Sequence, residues 1–225
     1  LGILILAVVT LPLLTALFLK VANRFLNELL TNFITINAAL LSVAVSFFMF
    51  GYLLLDKFKP IKFELFEWYP SPQIIFEFYL DGLSGVMMIL ISGLSLVIQL
   101  FSTSYMSKDE KYTKYFEYFN FFVFSMLLLV LSGNFLVMFF GWELVGLSSY
   151  LLISFWYEKN SAAKAGNKAF ILNRIGDFGF LIGLMMILNY FETFNFVNIF
   201  ESVLIKQPSN LDLIILFLLL GAFGK

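Results

Sequence analysis

The chain has 225 residues, 61% hydrophobic and 13% charged, with 14 Lys and Arg against 15 Asp and Glu and a mean hydropathy of +0.94. A soluble domain carries roughly 25% charged residues, so lipid must solvate much of this apolar surface, and the neutral balance points to no nucleic-acid partner. Neither Cys nor His occurs, which removes disulfides, thiolate iron–sulfur ligation and the commonest transition-metal and haem ligands.

The N-terminus, Leu1-Gly2-Ile3-Leu4, carries no basic region, cleavage site or Arg/Ser-rich transit segment, and the missing initiator Met suggests trimming. Thirty Phe residues fit an AT-rich genome such as an organelle's. Apolar runs predict spanning helices at about 1–19, 31–55, 79–104, 117–133, 135–156 and 168–190, with the start of a seventh at 211–225. Leu11-Pro12 predicts a kink in the first. Residues 56–78 break the pattern with Asp56, Lys57, Lys59, Pro60, Lys62, Glu64, Glu67, Pro70 and Pro72. There, Ile61-Lys62-Phe63-Glu64-Leu65 alternates with period two, which predicts a short extramembrane strand or hairpin. Trp68 and Tyr69 suit an interfacial depth.

The expected fold is therefore an all-α membrane protein, one transmembrane domain over residues 1–225. Loops after the first, third and fifth helices carry Lys20, Arg24, Lys108, Lys111, Lys114, Lys159, Lys164 and Lys168, and the others carry Lys57, Lys59, Lys62 and Lys206. That bias puts the odd-numbered loops on the matrix or cytoplasmic side and the N-terminus outside. From Leu211 to Lys225 the seventh helix reaches about 22 Å into a core of roughly 30 Å. A second chain, or residues after Lys225, is expected to continue it.

A few charges are not explained as loop residues. Glu143 lies mid-helix in Gly141-Trp142-Glu143-Leu144-Val145-Gly146. A lone acid at that depth costs about 2.5–3.5 kcal/mol, so it should face the bundle interior with a partner. It is either a functional carboxylate or a hydrogen-bonding link between helices. Gly146 and Tyr150 share its face, and Tyr150 is a candidate partner for water or the carboxylate. Arg174 and Asp177 are three residues apart and can neutralise each other, as a structural pair or in transport. Gly176, Gly179 and Gly183 make a small-residue face for close packing. Lys168, placed at the start of the sixth helix, either snorkels to the interface or joins a proton path. Asp81 reads as an acid at a helix N-terminus. Gly224-Lys225 is no phosphate loop, because position 219 is Leu where that motif needs Gly. Lys225 is instead a lysine deep in an apolar helix whose protonation a neighbouring carboxylate can switch.

Phe78-Tyr79-Leu80-Asp81-Gly82-Leu83-Ser84, Tyr105-Met106, the run from Gly141 to Trp156, Asn173-Arg174-Ile175-Gly176-Asp177 and Gly221-Ala222-Phe223-Gly224-Lys225 together resemble NADH dehydrogenase subunit 5. That family is the largest antiporter-like, proton-pumping membrane subunit of respiratory complex I. The resemblance covers essentially the whole chain and corresponds to the first half of the family, whose members are more than twice as long. It implies an antiporter-like fold of discontinuous helices in two inverted repeats, of which the first, incomplete, lies here. By motif position Glu143 is the essential glutamate, Lys225 the lysine that pairs with it, and Arg174 and Asp177 the charged pair of the sixth helix, with Lys168 secondary. Many members carry His where this chain has Gln99.

The resemblance also implies that NADH, FMN, iron–sulfur clusters and ubiquinone belong to other subunits and that this chain binds no cofactor or metal. Implied partners are the other complex I membrane subunits, above all the adjacent antiporter-like one, a second chain completing this subunit, and membrane lipids. The implied location is the mitochondrial inner membrane, with the bacterial plasma membrane as alternative. Two other functions stay open: the large subunit of a multi-subunit sodium/proton antiporter, which resembles this family closely, and a structural half-subunit without transport of its own. The sibling antiporter-like subunits 2 and 4 fit the motif order less well.

Overall fold

A computed structural model describes residues 1–70, 73–205 and 209–225. Its elements run α1 (Gly2–Ala22), α2 (Glu28–Leu55), β1 (Ile61–Pro70), β2 (Gln73–Leu80), α3 (Gly82–Tyr105), α4 (Tyr112–Val130), α5 (Phe135–Ile153), α6 (Asn160–Phe191), α7 (Phe196–Ile205) and α8 (Leu211–Gly224). Lys206 and Pro72, used in the loop readings, lie outside the described residues.

Side-chain caps set several boundaries. Asn27 accepts from Leu30 N at 2.9 Å, starting α2 three residues earlier than its apolar run predicts. Asp81 and Ser84 form a reciprocal capping box on α3, with bonds of 2.8 and 2.7 Å. The expected N-terminal acid is therefore a cap. At the end of α2, Lys57 turns left-handed (φ 52°), and Phe58 N donates to Leu53 O at 2.7 Å, closing the last carbonyls without a glycine. The predicted hairpin is present as β1 paired with β2.

Other elements differ from expectation as well. Helix α6 begins at Asn160, eight residues before 168, because Ser161, Ala162, Ala163 and Ala165 are compatible with a helix although the stretch is too polar to register as a span. Helix α4 begins at Tyr112, five residues before 117. Helix α7 fills part of a stretch read as loop; its ten residues fall below the length of a spanning helix.

Among the described residues, five helices, α1, α2, α3, α5 and α6, are long and apolar enough to cross a membrane. Helix α4 has nineteen residues, about 28 Å at helical rise, but Lys114, Glu117 and Asn120 dilute its hydropathy.

The chain forms two compact units. The first comprises Leu1–Phe63 with Phe78–Leu131, and the second Glu64–Glu77 with Ser132–Lys225, so the boundary crosses both strands of the hairpin. In the first unit α1 packs on α2 and α4, and α2 on α3. Its buried faces carry small polar residues, Thr31, Thr35, Ser42 and Ser46 on α2 and Ser92, Ser95, Gln99 and Ser102 on α3. Several hydroxyls bond back to their own helix, as Thr35 to Thr31 O (2.9 Å) and Ser46 to Ser42 O (2.7 Å). Lipid-like helix faces gain little from mutual burial, and small side chains permit close backbone approach instead. Thr31 meets Thr113 at 3.2 Å and Tyr112 bonds Asn32, so the starts of α2 and α4 share one end of this unit.

The second unit packs α6 against both α8 and α5. Phe180, Leu184, Ile187, Phe194, Ile199 and Ile214 form its apolar core. Asn134 and Asn195, the residues before α5 and α7, form an antiparallel bridge. Asn195 also donates to the buried Glu77 carboxylate at 2.6 Å. The turns before α5 and after α6 therefore share one end of this unit.

Candidate functional site

The site grows from three helices of the second unit. Helix α5 starts at Asn134, whose side chain accepts from Val137 N at 2.8 Å. Two turns later it presents Trp142 and Glu143, with Gly146 one turn further on. Helix α6 presents Asn173, Arg174, Asp177 and Phe180. Helix α8 delivers Lys225.

Glycines make the third helix available. A Cβ on Gly176 would lie 2.7 Å from Gly224 Cα and 3.1 Å from Gly221 O, and one on Gly179 would lie 3.0 Å from Leu220 Cβ. One on Gly183 would lie 3.0 Å from Leu218 Cδ2. As α6 advances its partners on α8 recede, so the two helices run antiparallel with backbones in contact. The glycine face read as packing from its spacing is this contact. It brings the end of α8 to α5, where a Cβ on Gly146 would stand 2.8 Å from Lys225 Nζ.

The charged groups form a chain. Arg174 Nη1 donates to Glu143 Oε2, and the same nitrogen lies 3.7 Å from Asp177 Oδ2. The other oxygen of Asp177 accepts from the Trp142 indole N–H at 2.7 Å. Lys225 Nζ donates to the Trp142 carbonyl at 2.9 Å and sits 5.2 Å from the centre of the indole ring. That ring stacks on Phe180 with centroids 5.3 Å apart. Asp177 is the most enclosed charge, its side chain 5% exposed, against 24% for Glu143 and 41% for Arg174. A carboxylate so enclosed needs every donor it has.

Four of the five expected site residues thus come together, in a different pairing. The Glu143–Lys225 pair is not a contact here: Arg174 holds Glu143, and Lys225 rests on a backbone carbonyl and an aromatic face. The reason is geometric, since the Arg174 fork reaches both carboxylates from its own helix. Arg174 and Asp177 do approach, but at the outer limit of an ion pair. Lys168, expected at the start of α6, is its ninth residue, exposed and outside the cluster. The Tyr150 ring packs against Phe170 at 5.4 Å, and the Arg174 guanidinium lies 4.7 Å from the Phe170 ring centre.

Trp142 is the site residue that the sequence reading missed. An indole in an apolar helix is ordinarily bulk, and the available signal was its N–H, which needs an acceptor once removed from water. Chemically, two carboxylates and one ammonium can exchange protons, while Arg174 keeps its charge throughout.

Residues 68–116 match the family described as NADH-Ubiquinone oxidoreductase (complex I), chain 5 N-terminus, and residues 132–225 that described as NADH:quinone oxidoreductase/Mrp antiporter, TM. NADH-ubiquinone oxidoreductase chain 5 of Metridium senile is 36% identical over 97% of this chain and 36% of its own length. NADH-quinone oxidoreductase subunit L of Mycobacterium tuberculosis is 38% identical over 74% of this chain and 27% of its own length. The chain thus spans about a third of the length of these curated relatives, less than the half that the motifs suggested. Among solved structures, the archaeal membrane-bound sulfane sulfur reductase superposes over 98% of this chain and 43% of its own, with a TM-score of 0.81 at 22% identity. The Mrp complex from Dietzia sp. DQ12-45-1b superposes over 96% of this chain and 23% of its own, with a TM-score of 0.78 at 20% identity. These two likenesses establish the antiporter-like fold. The motif order, the two family matches and the relatives agree: the chain belongs to the chain 5 and subunit L family of NADH:quinone oxidoreductase.

Proposed function

We propose that this chain is part of a proton-translocating membrane subunit of NADH:quinone oxidoreductase. The observation that carries the reading is the unbroken row Lys225–Trp142–Asp177–Arg174–Glu143 across three helices of the second unit. Ionisable groups within membrane spans are expensive and mark ion paths. Here each cation has two competing anionic or polar partners within side-chain reach, so a charge change beside the site can exchange them. Lys225, held on a carbonyl, gains an anion when Glu143 is released to it and loses one when Arg174 returns. The first arrangement favours proton uptake on Lys225 and the second favours release.

Moving one charge against 100 mV requires about 2.3 kcal/mol, and a shift of under two pKa units per site covers that step. Electron transfer is assigned to other subunits, since a chain without Cys or His lacks the usual cluster and haem ligands. The implied partners are the remaining membrane subunits. The implied location is an energy-coupling membrane, mitochondrial inner or bacterial plasma.

Glu143→Gln tests the reading in the assembled complex in sealed vesicles. Protons moved per NADH oxidised should fall steeply with the subunit still in the membrane. Full proton uptake by that variant would end it. The likeness to an Mrp complex favours one second reading, a sodium/proton antiporter subunit. A sodium-dependent pH gradient in vesicles that oxidise no NADH distinguishes the two.

A further inference from the structure

We propose that Trp142 is a positioning residue whose indole N–H decides which cation Glu143 holds. The inference rests on the proton-translocating reading and deepens it. Trp142 touches both ends of the charge row: its ring and carbonyl receive Lys225, and its N–H holds Asp177. The two Asp177 oxygens are divided between donors, Oδ1 to the indole and Oδ2 towards Arg174 at 3.7 Å. With half its hydrogen bonding supplied by Trp142, Asp177 does not draw Arg174 off Glu143.

Removing the N–H changes the balance. A carboxylate 5% exposed then keeps Arg174 at 3.7 Å and the more remote charge of Lys225, without a hydrogen bond from either, an arrangement that buried charge does not tolerate. The available remedy is Arg174, three residues away on the same helix, closing on Asp177. Glu143 is thereby vacated, and the other cation of the row is Lys225. The indole N–H thus keeps the acid and the lysine apart, and its loss locks them together. Phe180, stacked on the ring at 5.3 Å, holds the indole plane in the orientation that aims the N–H at Asp177. Substitution by Phe keeps an aromatic face and the carbonyl while deleting the N–H and part of the ring volume, and the position of Arg174 separates the two losses, since a void alone does not draw it to Asp177.

The test uses the intact complex in sealed vesicles, with Glu143→Gln alongside. Trp142→Phe should lower protons moved per NADH oxidised about five-fold, a ratio insensitive to how much complex assembles. In a map of the Trp142→Phe, Asp177→Asn double variant, Arg174 should stay on Glu143, because a neutral side chain no longer recruits it. A density map of the Trp142→Phe complex should show Lys225 Nζ on the Glu143 carboxylate and Arg174 closed on residue 177. An unchanged ratio, Arg174 closed on residue 177 in the double variant as well, or Lys225 still on the carbonyl of residue 142 each overturns the proposal. If Trp142→Phe does not assemble, Phe180→Leu frees the indole plane and carries the same test, with a smaller fall and the same movement of Arg174 in the map. If Glu143→Gln pumps fully, the proton-translocating reading fails, and the map alone then judges the role of Trp142.

Discussion

At the scale of single residues, the charges were legible and their partners were not. Glu143, Arg174, Asp177 and Lys225 stand out because apolar helices exclude charge unless something compensates it. Spacing within one helix identified the Arg174–Asp177 neighbours, but no spacing shows which residue of another helix a side chain meets. That is why the row passes through Trp142 and why Arg174, not Lys225, holds Glu143. Gly146 offers a local probe. A methyl there would stand 2.8 Å from Lys225 Nζ, the far end of a flexible side chain, so the ammonium moves and α5 stays. Charged hydrogen bonds of this kind contribute about 1.5–3 kcal/mol, hence Gly146→Ala should reduce protons moved per NADH about ten-fold. Assembly should be normal, measured as subunit content of purified complex. An unaltered ratio would mean that the Lys225 resting place has no part in transport.

At the scale of elements, apolar length found the spanning helices and missed what is polar or short. The first two turns of α6, from Asn160 to Asn167, were invisible to a search for apolar runs, and α7 was too short for it. Packing between elements was more legible: the face of Gly176, Gly179 and Gly183 was read as a close helix contact, and it lies on α8. Not all glycines act this way. A Cβ on Gly176 would meet Gly224 Cα at 2.7 Å, which is backbone and cannot swing aside, whereas one on Gly93 of α3 would meet nothing within 4 Å. Overpacking of the first kind costs about 1–3 kcal/mol, while relieving a helical glycine gains roughly 0.5–1 kcal/mol. Gly176→Ala should therefore lower the midpoint of thermal dissociation in mild detergent, and Gly93→Ala should leave it level or raise it. Equal midpoints would show that α6 and α8 are not held at backbone contact. Because Lys225 rides on that contact, Gly176→Ala should also reduce proton movement.

At the scale of the molecule, composition alone assigned the chain to a membrane, and the fold class followed from counting apolar runs. The division into two units did not follow, because it depends on which helices touch, and the boundary passes through strands that the sequence reads as one hairpin. What remains open to measurement is the direction in which the helices cross. The basic residues near the starts of α4 and α6, Lys111, Lys114, Lys164 and Lys168, outnumber the hairpin lysines Lys57, Lys59 and Lys62, and this asymmetry puts the ends at 107 and 164 on the matrix or cytoplasmic side. These 225 residues contain no Cys, so single cysteines placed among them report without background from this stretch. Glu67 on β1, Ser107 after α3 and Lys164 near the start of α6 are all exposed. In sealed vesicles, a membrane-impermeant thiol reagent should label Ser107→Cys and Lys164→Cys from one side and Glu67→Cys from the other, with the first two on the cytoplasmic or matrix face. Between Glu67 and Ser107 the chain passes once through α3, so labelling both from one side would mean that α3 does not cross. The opposite assignment of all three would keep the crossings and reverse the orientation.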